Sequence, residues 1–170
     1  MHHYLQAALD AVEAATRSVP ADVLARPVPG RWCAAEILEH LTLAFTGNAA
    51  AFEKALASGT LKARPANLRQ RLGRLVVIDF GYFPRVESPD ATKPRGTIAA
   101  DGSVAALREA LTKLDETMDR IAARFGEDVP AANHPYFAGL SVRQWRKFHW
   151  RHTVHHMRQL RDRCAMICSP

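Results

Sequence analysis

The sequence predicts an all-α fold, a four-helix bundle with a long crossover between the second and third helices. Four segments repeat apolar residues at three- and four-residue spacing, and no convincing set of strands is present. A stretch of about 40 residues broken by prolines separates the second segment from the third, and a connection of this length usually crosses a bundle or covers a site. With 170 residues, 48% of them hydrophobic, we expect a single domain over residues 1–170.

The first two helices are predicted over residues 2–18 and about 33–57. Pro20 marks the end of the first, and Gly59 closes the second. Glu36 lies where a capping-box acid would lie if Cys33 were the cap residue. The buried stripe of the second helix consists of Ile37, Leu38, Leu41, Ala44, Phe45 and Phe52.

The crossover, residues 59–100, is the least regular part of the chain. It could contain one helical segment over 68–83, and we expect Leu68, Leu72, Leu75 and Val76 to face the core. The third helix is predicted over about 104–125, with Ser103 as its cap. The fourth has the clearest start, because Ser141 and Gln144 form a capping box, and it continues to about Cys164.

Basic charge is concentrated in two parts of the chain, although the net charge is only +6. Residues 59–100 carry eight Lys/Arg against three Asp/Glu, and residues 141–163 carry seven against one. Such surfaces attract acidic small molecules, so we expect a small, anionic substrate. Nucleic acid is not an expected partner, because the sequence has no zinc finger, repeat or aromatic–basic ribonucleoprotein motif.

A cytoplasmic protein without a membrane partner is the expectation. No apolar run approaches the roughly 20 residues that span a bilayer, and the N-terminus does not read as a signal peptide. The three cysteines, Cys33, Cys164 and Cys168, do not suggest a disulfide framework. The four-residue spacing of the last two is not the one usual for metal or redox motifs.

Histidines in two predicted helices have positions that would let them share one metal ion. His152 and His156 differ by roughly 40° around the helix axis, so both imidazoles can reach one ion. His40 lies between core leucines, where a polar ring needs a partner. Three imidazoles leave room for water or substrate, which is typical of catalytic metal sites. Spacing alone leaves the alternative open that the pair is incidental and that His40 is a hydrogen-bonded core residue.

Four other side chains are candidates for supporting the ligands or binding substrate. His149 lies on the stripe of His152 and His156, one turn earlier, as a reserve ligand or a supporting group. Glu36 could orient His40 or approach the ion, or it could cap its helix. Gln159 could pack between helices or support the site. His134 is either a surface residue or a group at the mouth of the pocket.

Two segments resemble the helix signatures of the DinB-like superfamily of bacterial bundle proteins. Residues 30–41, GRWCAAEILEHL, resemble its second-helix signature, in which Trp-Ser-x-x-Glu leads to a ligand histidine. Residues 152–160, HTVHHMRQL, resemble its fourth-helix signature, His-x-x-His-His-x-x-Gln. Residues 134–141, HPYFAGLS, with Gln144 and Trp145, resemble an uncharacterised branch of the superfamily. Cys33 replaces the usual serine, and Ala138 stands where glycine is expected.

The resemblance implies a DinB-like bundle in which His40, His152 and His156 bind nickel, zinc or iron(II). Several relatives use a low-molecular-weight thiol at the metal to transfer or isomerise a substrate. We therefore expect a divalent-metal-dependent enzyme, either a thiol-dependent S-transferase or isomerase or a hydrolase, and a homodimer. The alternative is a non-catalytic stress-response or binding bundle whose metal site is vestigial or sensory. The sequence does not decide whether the chain is an enzyme.

Overall fold

The computed structural model describes residues 1–84 and 86–168, without the side chain of Cys168, so the pairing of Cys164 with Cys168 lies outside the described residues. These residues are mostly helical, as predicted. The helices are α1 (His3–Thr16), α2 (Ala21–Ala25), α3 (Ala34–Ser58), α4 (Leu68–Arg74), α5 (Ser103–Phe125) and α6 (Val142–Cys168). A π-helical turn, Leu75–Asp79, continues α4, and Asp90–Thr92 form a 3-10 turn. Two strands, β1 (Pro130–His134) and β2 (Ala138–Ser141), form a small antiparallel hairpin.

The four long helices pack as two pairs around one apolar core. Helix α1 packs along α6 and α3 along α5, while α1 also contacts α5 and α3 also contacts α6. Each helix turns one apolar stripe inward, which is the pattern that the sequence predicts. Within the described ranges, no helix is both long and apolar enough to cross a bilayer. The fully buried side chains include Leu5, Ile37, Leu41, Phe45, Phe52, Leu111, Met118 and Trp145.

The helix starts show which predicted caps form. The capping box of α6 is confirmed: the Ser141 N–H donates to Gln144 Oε1 at 3.1 Å, and the Gln144 N–H donates to Ser141 Oγ at 3.3 Å. The prediction of Ser103 as a cap is wrong. Its hydroxyl donates to the Ala100 carbonyl instead, so the residue opens the first turn and Gly102 precedes it as the cap.

The crossover segment shows the largest departure from the predicted pattern. Leu68, Leu72, Leu75 and Val76, which we name the exposed apolar row, are 74%, 56%, 45% and 39% exposed rather than buried. The opposite face of the segment packs inward, including Val77 and Ile78. Gly73 permits this, because a Cβ there would lie 3.2 Å from the ring of Phe137.

The hairpin was not predicted, because its strands are only five and four residues long. Gly139 in β2 packs directly against the crossover. Its N–H donates to the Arg64 carbonyl at 2.9 Å, and a Cβ at this position would lie 2.8 Å from that carbonyl oxygen. Only glycine permits this approach, so the hairpin fixes the start of the crossover on the bundle.

Ala138 has a φ of 57°, which is the left-handed region that costs alanine about 1 kcal/mol. The resemblance had placed an expected glycine at this position. Ala138→Gly is therefore expected to raise the free energy of unfolding by about 0.5–1 kcal/mol, measured by urea denaturation. Ala132→Gly, on the paired strand β1, is the matched control and should lower it. A loss of stability in Ala138→Gly would show that packing of the methyl group outweighs the backbone strain.

Candidate metal centre

Three histidine rings converge between α3 and α6. Nε2 of His152 lies 3.5 Å from Nε2 of His40 and 3.0 Å from Nε2 of His156. One nitrogen from each of the three rings lies within 4.8 Å of the other two, so the cluster could hold a metal ion. His152 and His156 share a face of α6 because they are one turn apart. His40 reaches them from α3, which is packed against α6.

Two of the three separations between these nitrogens fit coordination of one ion. Two nitrogens at 2.1 Å from an ion are about 3.0 Å apart at a 90° angle and about 3.4 Å apart at the tetrahedral angle. The two measured separations, 3.0 and 3.5 Å, match these values. A set of three imidazoles suits zinc, nickel and iron(II).

Hydrogen bonds at the far side of two rings aim their Nε2 atoms at the common point. Nδ1 of His40 lies 2.8 Å from the Thr92 carbonyl, which can only accept, so this nitrogen carries the proton. Nδ1 of His156 lies 2.9 Å from Gln159 Oε1. Both rings therefore present an unprotonated Nε2 lone pair to the centre, as metal ligation requires.

The far side of the third ring, His152, is held by aromatic packing, and its hydrogen-bond contacts are those of Nε2 to His40 and His156. It stacks on Phe148 with ring centroids 5.2 Å apart, and Phe83 of the crossover lies 5.7 Å away. Its buried Nδ1 has no hydrogen-bond partner among residues 1–84 and 86–168. Both tautomers therefore stay available to His152, and only the one with an unprotonated Nε2 can bind an ion.

Burial keeps the three imidazoles neutral. It lowers the pKa of His40, against an opposing contribution from the hydrogen bond to Thr92. Burial and the neighbouring His40 and His155 lower the pKa of His156 to about 3. Burial, followed by the neighbouring His156 and His40, places the pKa of His152 well below its ordinary value. Neutral imidazole is the form that binds metal, so protons compete weakly for the site near neutral pH.

The comparison with family models decides the family. The model described as Protein of unknown function (DUF1569) matches residues 3–163, which include all three histidines of the cluster. The chain belongs to this family. No curated protein and no solved structure matches it.

The crossover of this DUF1569 protein is fixed over the cluster by a carboxylate that sequence reasoning missed. Glu39, beside His40, is buried and accepts hydrogen bonds from the Gly96 N–H at 2.9 Å, the Thr97 N–H at 3.0 Å and the Thr97 hydroxyl at 2.6 Å. Burial raises its pKa, but these bonds outweigh burial and lower it. No sequence signal marked Glu39, because helix geometry places it on the face opposite the predicted apolar stripe, where a solvated carboxylate is the usual expectation. Thr92 could not be identified from its residue type, because its backbone carbonyl, not its side chain, accepts the hydrogen bond from His40.

The supporting candidates divide into those that touch the cluster and those that do not. Gln159 touches it, because its Oε1 accepts a hydrogen bond from the His156 Nδ1–H while its Nε2 lies 3.0 Å from Nε2 of His155. Glu36 caps α3, with its Oε2 2.7 Å from the Cys33 nitrogen. It is not among the residues that converge at the cluster.

The other two candidates, His149 and His134, lie together in an aromatic layer between α6 and the hairpin. His149 is fully buried, stacks on Trp145 and lies 3.3 Å from the Asn48 amide nitrogen. His134 stacks on Phe137 with ring centroids 4.4 Å apart. Neither belongs to the converging set of nitrogens. In this DUF1569 protein both rings therefore pack in the layer beside the cluster.

His149 predicts acid sensitivity of the metal-free fold. Complete burial lowers its pKa to about 3, against 6.5 for an ordinary histidine. Below pH 6.5 the unfolded chain binds a proton here that the folded chain does not, so stability falls as pH falls. The slope is about 1.4 kcal/mol per pH unit for this residue.

Urea denaturation between pH 7 and pH 4.5 in the presence of EDTA measures this slope. His149→Gln should reduce the slope by about 1.4 kcal/mol per pH unit, the contribution of one histidine. His3→Gln, at an exposed position, should leave the slope unchanged. If the free energy of unfolding falls equally steeply with pH in the wild type and in His149→Gln, the attribution of this acid sensitivity to His149 is wrong.

Proposed function

We propose that this chain is a divalent-metal-dependent enzyme of the DinB-like type, in which His40, His152 and His156 hold one nickel, zinc or iron(II) ion. The convergence of three imidazole nitrogens within 4.8 Å carries this proposal. The hydrogen bonds from His40 to Thr92 and from His156 to Gln159 support it, because metal-binding histidines are commonly oriented in this way. The helix pairing and the crossover over the site are compatible with a DinB-like four-helix bundle.

The proposed reaction is a thiol-dependent S-transfer or isomerisation, with hydrolysis as the other version. A divalent ion bound here supplies Lewis acidity, which favours a deprotonated thiol or water and polarises an electrophile. The side chains of the chain contribute orientation and exclusion of water. Phe83 and Phe148 flank His152, and the bonds of Glu39 hold the crossover in place.

Cobalt(II)-substituted protein provides the test. Adding a low-molecular-weight thiol such as cysteine or glutathione should produce a sulfur-to-cobalt charge-transfer band and, with an electrophile such as monochlorobimane, enzyme-dependent conjugation. Thiol-free reactions and metal-free protein are the controls. If the protein binds cobalt but neither the band nor turnover appears with any thiol, the thiol version fails, and hydrolysis assays decide the other version.

A second candidate is a non-catalytic binding bundle with a vestigial or sensory site. The exposed apolar row and the basic residues beside it favour this function, because an exposed apolar patch next to positive charge can bind a protein or an anionic polymer. Retention on an anionic polymer that weakens as salt rises would support it. Salt-insensitive behaviour, or no binding, would remove the nucleic-acid form of this candidate.

The proposal includes a homodimer whose interface is the exposed apolar row. A two-fold axis would place this row against itself, and burying each partly exposed leucine there contributes part of the about 1.5–3 kcal/mol that full burial gives. Light scattering should find a dimer for the wild type and a shift toward monomer for Leu72→Ser. Leu61→Ser, at a partly buried position outside the row, is the control. A wild type that stays monomeric at high protein concentration would contradict the proposed homodimer.

A further inference from the structure

A cavity beside the histidine cluster carries two arginines that the metal site does not use. We propose that this cavity, lined by Arg31, Gln159, Asp162 and Arg163, binds a carboxylate group of the substrate. The inference rests on the proposed function for the reacting end of that substrate. The anion site itself does not require the metal.

The size and charge of the cavity fit a small carboxylate. Its volume is about 450 Å³, within the range of small-molecule sites. Two guanidinium groups face one carboxylate, that of Asp162, so the lining has a net charge of +1. Guanidinium groups bind carboxylates through two parallel N–H donors, which gives both affinity and orientation.

One arginine is fixed in place and the other is available. The Arg163 Nε–H donates to the Trp32 carbonyl at 3.2 Å, which holds the guanidinium at the cavity. The Arg31 side chain lines the cavity at an exposed position and forms no ion pair within the part of the chain that the structure describes. A ligand carboxylate would therefore meet one positioned group and one that can close on it.

Two contacts connect the cavity to the metal site. Gln159, in the cavity wall, accepts a hydrogen bond from the His156 Nδ1–H, with Nδ1 and Oε1 2.9 Å apart. Trp32, whose backbone carbonyl accepts the Arg163 hydrogen bond, has its ring centroid 5.1 Å from that of His40. The Gln159 side chain and the His156 ring therefore lie between a ligand in the cavity and the three Nε2 atoms. The substrate class is a small carboxylic acid whose reacting group lies several bonds from the carboxylate.

Isothermal titration with glutarate tests the anion site without metal. Wild-type protein treated with EDTA should bind glutarate and not the neutral diamide glutaramide. Arg31→Gln and Arg163→Gln should each weaken glutarate binding at least about fivefold, as loss of a charged hydrogen-bond partner does. Arg161→Gln, at an exposed position of the same helix that does not line the cavity, should change it less than about twofold.

Two outcomes would overturn the anion site. One is a wild type that does not bind glutarate. The other is an equal loss of glutarate affinity in Arg31→Gln and Arg161→Gln, which would show that glutarate responds to the overall positive charge and not to this cavity. Because Arg163 also contacts Trp32, Arg31→Gln decides the question if Arg163→Gln folds poorly.

The link to the metal site is tested with cobalt-substituted protein and a matched pair of thiols. The charge-transfer band should titrate at least about tenfold more tightly with 6-mercaptohexanoate than with 6-mercaptohexanol, and Arg31→Gln should remove this difference. Equal affinities for the two thiols would overturn the link while leaving the proposed metal function intact. If neither thiol produces a band although glutarate binds, the thiol version of the proposed function fails and the anion site remains.

Discussion

Alanine at position 40, 152 or 156 is expected to remove the metal ion from the purified protein. Each ring supplies one of three nitrogens that converge within 4.8 Å, and two remaining imidazoles bind divalent ions far more weakly than three. Elemental analysis of protein purified without nickel affinity should find about one ion per wild-type chain and close to none in the three variants. Circular dichroism establishes that each variant is folded.

His155→Ala and Gln159→Leu separate ligation from support. His155 is next to His156 but is not among the converging nitrogens, so its alanine variant should retain the ion. Gln159→Leu removes the acceptor at 2.9 Å from His156 Nδ1 and should weaken metal affinity about 10–100-fold. Full metal retention in the His40, His152 or His156 variant would exclude that residue as a ligand.

Arg146→Ala is expected to destabilise the fold by about 3–5 kcal/mol, because it removes the buried guanidinium that pairs with the buried Asp115 carboxylate. The Arg146 guanidinium is 3% exposed and contacts Asp115 at 3.3 Å, Asp119, and Glu127 at 3.6 Å. Asp115 is also buried and accepts the His2 N–H at 2.8 Å. The network therefore joins α5, α6 and the N-terminus in the core. Urea denaturation measures the loss.

Arg143→Ala is the matched control for this network. Arg143 lies one turn earlier on α6 and pairs with Glu127 and Asp128 at the exposed surface, where ion pairs contribute about 0–1 kcal/mol. Replacing both buried partners by apolar residues, Arg146→Met with Asp115→Leu, should recover part of the stability lost by Arg146→Ala. Similar losses for Arg143→Ala and Arg146→Ala would show that burial of the network is not the source of its effect.

The helices and the shared face of His152 and His156 could be predicted because local spacing determines them. His152 and His156 share a face through helix geometry alone, and Ser141 with Gln144 marks the start of α6. His40 was predictable from an unpartnered polar ring among leucines. The position of His40 opposite the pair needs the packing of α3 against α6, for which only the resemblance to a known superfamily gave an indication.

The crossover could not be predicted, because long-range contacts decide which face it buries. The leucine spacing suggested that Leu68 and Leu72 face inward. The face that packs is instead the one bearing Gly73, where the close approach of Phe137 is possible. The Arg74 guanidinium adds hydrogen bonds to the Phe137 and Gly139 carbonyls. Periodicity carries no information about such a docking surface, since the partner lies more than 60 residues away.

The location of the three histidines on two differently paired helices has a mechanical consequence. His40 belongs to α3, which packs with α5, whereas His152 and His156 belong to α6, which packs with α1. An ion held by all three would cross-link the two halves of the bundle across 112 positions of sequence. Ligand present at 100 times its dissociation constant would add about 2.7 kcal/mol to the free energy of unfolding. Metal supply would then set how long each molecule resists heat and proteolysis, independently of any reaction at the centre.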